Sequence, residues 1–154
     1  EAALPRLGLG LLWMRVERFA EAEAEFLAAL ERDAQLESAC FQLGEARRLR
    51  GDSDGALAAY DRGVALAPQD LELRSNRGLL RLSLGQAEGA ADLEFVVAQE
   101  ASARPAFAPV FLGLARHLAA SAPQRAAELY ARYRDLGGRE PLEPAAGGPP
   151  PEDG

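Results

Sequence analysis

Side chains able to do acid–base chemistry are numerous in this chain, but their spacing forms no catalytic motif. The 154 residues include 24 carboxylates and one histidine, His117. No nucleophile motif, glycine-rich phosphate loop or histidine-containing dyad occurs at a meaningful spacing. His117 stands between Arg116 and Leu118 on a predicted helix, where a surface or groove-lining imidazole is favoured over a general base. We therefore expect no enzymatic activity.

Metal-ligating side chains are also too few. Cys40 is the only cysteine and His117 the only histidine, so the clustered Cys and His ligands of a zinc site are missing. Cys40 lies among apolar residues on a predicted helix, which indicates a buried structural thiol. We expect neither a metal nor a cofactor.

The charge and composition limit the partners. A net charge of -7 argues against nucleic acid, because phosphate binding needs a concentrated positive surface. Basic or apolar protein partners are favoured over acidic ones. All 17 basic residues are arginine, which indicates a GC-rich, bacterial coding sequence. No apolar run is long enough to cross a membrane, so we expect a soluble protein without membrane insertion.

The elements that position these residues are written as a repeat, because Gly10, Gly44 and Gly78 follow one another at intervals of 34 residues. The other recurring positions are Leu9 and Leu43 one residue before the glycine, Ala22, Ala56 and Ala90 twelve after it, and Phe26 and Tyr60 sixteen after it. Small residues at helical spacing allow paired helices to approach closely, and large ones fill the space beside that contact. We assign all of these positions to the core.

The second copy also closes with Pro68. This pattern resembles the tetratricopeptide repeat, in which Leu-Gly, Ala, an aromatic residue and Pro stand at fixed spacing. A degenerate fourth copy restarts at Leu112-Gly113 and continues with Ala126 and Tyr130. The resemblance covers residues 4–136 and implies an all-α fold, a right-handed α-solenoid of antiparallel helix pairs with about eight helices. The four copies are expected at residues 3–36, 37–70, 71–104 and 106–138.

Helix boundaries follow from the same alignment. The predicted helices span 4–16, 19–33, 37–50, 54–67, 71–84, 88–101, 106–119 and 123–136. Asp52 or Ser53 is expected to cap the fourth helix, and Ser121 with Gln124 is expected to form a capping box for the last one. Residues 1–136 then form the repeat domain, and the Pro/Gly-rich residues 139–154 form an extended or disordered tail.

The first helix of each copy has two apolar faces, and internal packing accounts for only one. The second face holds the positions three before, one after and four after the glycine. In tetratricopeptide folds this face lines a concave groove. With neighbouring positions included, the resemblance assigns to this ligand groove Leu7, Leu11, Met14, Phe41, Gln42, Glu45, Arg48, Asn76, Leu79, Leu82, Ser83, Phe111, Leu114 and His117.

This groove is apolar at both ends and polar in its middle, so it suits a peptide or amphipathic helix with apolar side chains around a polar or charged centre. Asn76, and Gln42 as its equivalent, could hold a peptide backbone through a paired donor and acceptor; solvation on the helix surface is the alternative. The family's carboxylate clamp for acidic chaperone C-termini is not expected, because Leu7 and Leu11 occupy the places of its first basic residue and first asparagine.

The third copy departs from the pattern. Arg74, Arg77 and Arg81 form one helical stripe where large apolar side chains are expected, and Glu94 stands at the aromatic position of the second helix. These substitutions predict an ion pair from Arg77 or Arg81 to Glu94 between the two helices. An anion site made by the arginine stripe is the functional alternative.

The sequence thus favours a protein–protein interaction scaffold that binds a peptide or helix in its groove. The alternative is a homo-oligomerisation scaffold, such as a homodimer, that buries the groove or the apolar amino-terminal end. A regulatory module of a larger enzyme is a third possibility, since the chain begins with Glu1 and is expected to be excised or processed. A cytoplasmic location is expected first, with the periplasm as the alternative.

Overall fold

The computed structural model describes residues 2–99 and 104–142, and all regular secondary structure in these ranges is helical. The eight α-helices are α1 Ala3–Arg15, α2 Phe19–Arg32, α3 Glu37–Leu49, α4 Ser53–Leu66, α5 Leu71–Ser83, α6 Gly89–Val97, α7 Ala108–Leu118 and α8 Pro123–Asp135. A short 3-10 helix, Pro105–Phe107, precedes α7. The chain divides into two compact units, Glu1–Arg77 and Gly78–Gly154.

The helix ends confirm most of the boundaries predicted from the repeat. The main difference is α6, which ends at Val97 rather than at residue 101. Asp52 caps α4 as predicted, because its side chain accepts a hydrogen bond from Gly55 N at 2.9 Å. The capping box predicted for α8 is wrong: Ala122 occupies the cap position and makes no side-chain hydrogen bond there. Most of the predicted tail lies outside the described residues.

In the first unit, each repeated glycine packs against an aromatic ring of the partner helix. A Cβ added to Gly10 would lie 2.7 Å from Phe26 Cδ1, and one added to Gly44 would lie 2.6 Å from Tyr60 Cδ1. Both rings are fully buried. The glycines are therefore required by the close approach of α1 to α2 and of α3 to α4. Cys40 lies in the same core, as predicted, and burial raises the pKa of its thiol.

In the second unit, the third copy packs with a different register. A Cβ on Gly78 would lie 2.6 Å from Leu93 Cδ2 and 2.9 Å from the carbonyl oxygen of Gly89. Leu93 is fully buried and stands one residue before the expected aromatic position. The two glycines let α5 and α6 come into backbone contact, and Leu93 takes the space that an aromatic ring fills in the first unit.

This register overturns the predicted ion pair to Glu94. Glu94 is about half exposed and pairs with Arg125 at 3.5 Å. The buried carboxylate of α6 is instead Asp92, 3% exposed, whose Oδ2 lies 3.7 Å from Arg81 Nη1. Because Leu93 points at Gly78, its predecessor is carried toward Arg81 and its successor toward solvent. In the first unit, Arg77 Nη1 contacts Asp61 Oδ1 at 2.9 Å.

Candidate peptide-binding face

A pocket lies between α3 and the beginning of α5, within the first unit. Its volume is about 290 Å³. The lining residues are Glu37, Ser38, Phe41 and Gln42 from α3, together with Asp70, Glu72 and Leu73. Two of them, Phe41 and Gln42, belong to the groove set predicted from the sequence. We call this cavity the α3–α5 pocket.

The start of α5 is fixed by Asp70, which forms one side of this pocket. Asp70 Oδ1 accepts a hydrogen bond from Leu73 N at 2.9 Å, the geometry of a helix N-cap. Leu73 is 1% exposed and packs beside Gly63 of α4, where an added Cβ would lie 2.7 Å from Leu73 Cδ2. The cap and this buried side chain together hold the first turn of α5 opposite the first turns of α3.

The pocket combines an apolar wall with an acidic rim. Phe41 is half-buried, so part of its ring faces the cavity. Glu37 and Glu72 are exposed, and neither takes part in an ion pair with the residues that the structure describes. Asp70 adds a third carboxylate. The pocket is therefore suited to a side chain that has both an apolar body and a positive charge.

One turn further along α3, Glu45 is the centre of a polar network. Arg48 Nη2 donates to Glu45 Oε2 at 2.8 Å, Asn76 Nδ2 donates to Glu45 Oε1 at 3.1 Å, and the Tyr60 hydroxyl also donates to Oε1. Burial raises the pKa of Glu45, but the hydrogen bonds from Arg48, Tyr60 and Asn76 outweigh it and hold that pKa below its ordinary value. The carboxylate is thus ionised and internally satisfied.

This network links three helices of the first unit, because its members come from α3, α4 and α5. Burial raises the pKa of Tyr60 far above its ordinary value, and the ionised Glu45 raises it further. Tyr60 therefore stays protonated and acts as a permanent donor. The arrangement fixes the position of Asn76 beside α3, and it leaves no free acid or base for proton transfer at this point.

Asn76 has one half of its amide committed and the other available. Its Nδ2 is bound to Glu45, while its Oδ1 accepts no hydrogen bond from residues 2–99 or 104–142. Gln42, in the α3–α5 pocket, makes no side-chain hydrogen bond within those ranges. The expectation that these two amides hold a peptide backbone stays a prediction, and the structure leaves the required acceptors accessible.

The groove residues predicted on α1 are unequally exposed. Leu7 and Met14 pack against the core of the first unit, and Leu11 is 38% exposed. Arg48 of α3 is exposed and is engaged by Glu45. Within the first unit, the predicted set therefore supplies one apolar contact surface on α1 and one mixed surface on α3.

In the second unit, the groove assignment needs a correction. Phe111 and Leu114 are 3% and 0% exposed, so both are core residues and offer no surface to a ligand. The reason is the register of the fourth copy: Gly113 faces Leu79, whose Cδ2 would lie 2.6 Å from an added Cβ, and not an aromatic ring of α8. Leu79 and Leu82 are half-buried, while Ser83 and His117 are exposed.

The assignment of Leu9 to the core is wrong, because Leu9 is 38% exposed and belongs to an apolar face of α1. Leu9, Leu12, Trp13, Arg15 and Val16 line an open pocket of about 400 Å³. Leu12 and Val16 are 57% and 61% exposed. The repeat indicates what this face is suited to contact. The equivalent positions 34 residues later, Leu43 and Ala46, are buried beside α2 in the core of the first unit, so Leu9 and Leu12 stand at positions that pack against another helix.

The described part of the chain holds no group of His, Cys, Asp and Glu side chains that could bind a metal ion. Across residues 2–99 and 104–142, no helix has the length and apolar character needed to cross a bilayer.

Comparison with solved structures identifies the fold. MamA from Desulfovibrio magneticus RS-1 matches with a TM-score of 0.77 and 20% identity, over 87% of this chain and 75% of that one. YrrB, described as a TPR protein with an unusual peptide-binding site, matches with a TM-score of 0.76 and 17% identity, over 87% and 68%. SycD, the type III secretion translocator chaperone of Yersinia enterocolitica, matches with a TM-score of 0.64 and 18% identity, over 73% and 87%.

No protein-family model and no curated protein matches the sequence. The structural matches nevertheless agree with the glycine-centred repeat and with the eight described helices. The chain therefore has the all-α fold of tetratricopeptide-repeat proteins.

Proposed function

We propose that this chain is a non-catalytic scaffold that binds a peptide segment of a partner protein on the face formed by α3 and the start of α5. The observation that carries this proposal is the α3–α5 pocket, an open cavity with a half-buried aromatic wall. α3 and α5 are the first helices of consecutive copies, and such helices line the ligand groove in the family that the sequence resembles.

Several further features support this proposal. The amides of Gln42 and Asn76 lie on the same two helices and retain hydrogen-bonding capacity. The network around Glu45 fixes α3, α4 and α5 relative to one another before a ligand arrives, which lowers the ordering cost of binding. YrrB, a structural neighbour, is described as having a peptide-binding site.

Selection of peptides tests the proposal. A phage-displayed library of random peptides would be selected against the intact chain, and each enriched peptide would be titrated against Phe41→Ser and Leu27→Ser by calorimetry. Leu27 is a matched control, since it is a 39% exposed leucine on α2. We expect Phe41→Ser to weaken binding at least about tenfold, as for loss of an interface anchor, and Leu27→Ser to bind like wild type. Equal binding to all three proteins would refute the assignment.

A second candidate function, self-association, is favoured by the exposed face of α1. The equivalent positions of the second copy, Leu43 and Ala46, are buried in a core that includes α2. Leu9 and Leu12 therefore stand at positions that pack against another helix, and we propose that a second copy of the chain supplies that helix. Light scattering over a range of concentrations tests this: a dimer mass that falls on dilution is expected, and a constant monomer mass would refute it.

A further inference from the structure

The charge on the α3–α5 pocket indicates which class of ligand this face would bind. Three carboxylates, Glu37, Asp70 and Glu72, surround a cavity whose wall is the ring of Phe41. The cavity of about 290 Å³ lies at the lower limit for sites that hold whole small molecules. Its size thus fits one side chain.

Glu37 and Glu72 of the rim have no paired cation among residues 2–99 and 104–142. Arg74, two residues after Glu72, turns back along the chain, and its Nε donates to the Pro68 carbonyl at 2.6 Å. By contrast, Glu45 on the same helix is satisfied by Arg48, Tyr60 and Asn76. A ligand cation is the group that would complete the rim.

We propose that the α3–α5 pocket selects an arginine side chain of the bound peptide, an inference that rests on the proposed function. The planar guanidinium can stack on the ring of Phe41 while donating hydrogen bonds to carboxylates at the rim. Its aliphatic stem would lie along the edge of that ring. The net charge of -7 attracts such a peptide over longer distances.

The amides of Gln42 and Asn76 would position the peptide backbone on either side of this arginine. The Gln42 amide lies at the pocket and Asn76 Oδ1 lies beside α3, so the peptide backbone next to the arginine would find a donor and acceptor at Gln42 and a further acceptor at Asn76. The arginine would thus be the charged centre of the segment, with apolar neighbours directed to the surfaces on either side.

Titration with small probes, followed by amide chemical shifts of the intact chain, tests this inference. The probes are N-acetyl-arginine amide, its uncharged isostere N-acetyl-citrulline amide, and N-acetyl-leucine amide. We expect the arginine probe to shift amides of residues 37–42 and 70–73, and the citrulline probe to bind at least about fivefold more weakly because it lacks the charge. The arginine response should weaken as salt is added.

Two double variants separate the charge of the rim from the overall charge of the chain. Glu37→Gln with Glu72→Gln should weaken the arginine probe at least about fivefold. Glu88→Gln with Glu128→Gln removes the same charge from exposed positions of the second unit and should change its binding less than twofold. Equal weakening by both pairs would overturn the inference, because only the overall charge would then matter.

The probes also separate this inference from the proposed function. If leucine amide shifts residues 37–42 and 70–73 while arginine and citrulline amides bind equally, the arginine inference is overturned and the peptide-binding face stands. If the arginine probe shifts amides elsewhere and no probe shifts these residues, both proposals are overturned.

Discussion

Two glycines of α1 offer a paired measurement of the packing that defines the fold. Gly10 is buried, and a Cβ there would lie 2.7 Å from Phe26 Cδ1. Gly8 is exposed, and a Cβ there would have no neighbour within 4 Å. Alanine at either position brings the same gain in helix propensity, so the difference between the two variants isolates the cost of displacing the Phe26 ring.

The magnitude follows from these distances. Alanine in place of glycine inside a helix stabilises the fold by about 0.8–1 kcal/mol, which is the expected gain for Gly8→Ala. In Gly10→Ala the ring must move although Phe26 is fully buried, and such overpacking costs about 1–3 kcal/mol. We therefore expect the unfolding free energy of Gly10→Ala to lie about 1–3 kcal/mol below that of Gly8→Ala.

Urea unfolding followed by circular dichroism measures this difference directly. Adding Phe26→Leu to Gly10→Ala should recover part of the loss, so that the two substitutions are less damaging together than their separate effects predict. Equal unfolding free energies for Gly8→Ala and Gly10→Ala would refute the reasoning, because the repeated glycine would then have no packing role.

Three further predictions concern the polar groups and the exposed face of α1. Because the pKa of Glu45 is lowered from 4.5, its carboxylate stabilises the fold above that pH and loses this effect as pH falls through the folded-state pKa. Glu45→Gln should therefore lower the unfolding free energy by about 1–3 kcal/mol at neutral pH, and the difference should shrink in acid. A difference in urea melts that does not change with pH would contradict this. Arg81→Gln leaves the buried carboxylate of Asp92 without this cation and should lower the unfolding free energy by about 3 kcal/mol. Glu94→Gln should change it by less than about 0.5 kcal/mol. Equal shifts in the melting temperature of the two variants would count against the register of α6. In light scattering, Leu12→Gln should reduce self-association while Leu27→Gln leaves it intact, and two unaffected masses would exclude α1 as the interface.

The repeat predicted the helices well because it depends on short-range contacts. A glycine and an aromatic ring sixteen residues apart are enough to align two neighbouring helices, as Gly44 and Tyr60 do. The third copy was predicted less well, since a rotation by one residue exchanges the environments of Asp92 and Glu94 without altering the apolar pattern. Such a rotation depends on how closely two backbones can approach.

The candidate site was predictable only in part. Phe41 and Gln42 were found because they occupy fixed positions relative to Gly44. The acidic rim comes from the beginnings of α3 and α5 and follows no repeat position. Phe111 and Leu114 were assigned to the groove from the same alignment, and their burial depends on the register of α7. Position within a repeat indicates which face a residue occupies, whereas tertiary packing decides whether that face is open.

The amides that a bound peptide shifts distinguish a binding face on α3 and α5 from one on α1. The tightest peptide from the library selection would be titrated into the isotopically labelled chain, and the shifted amides would be assigned. We expect the shifted amides to concentrate in residues 37–45 of α3 and 70–76 at the start of α5. Shifts concentrated in residues 9–16 of α1 would contradict this expectation and would make the exposed face of α1 the binding surface.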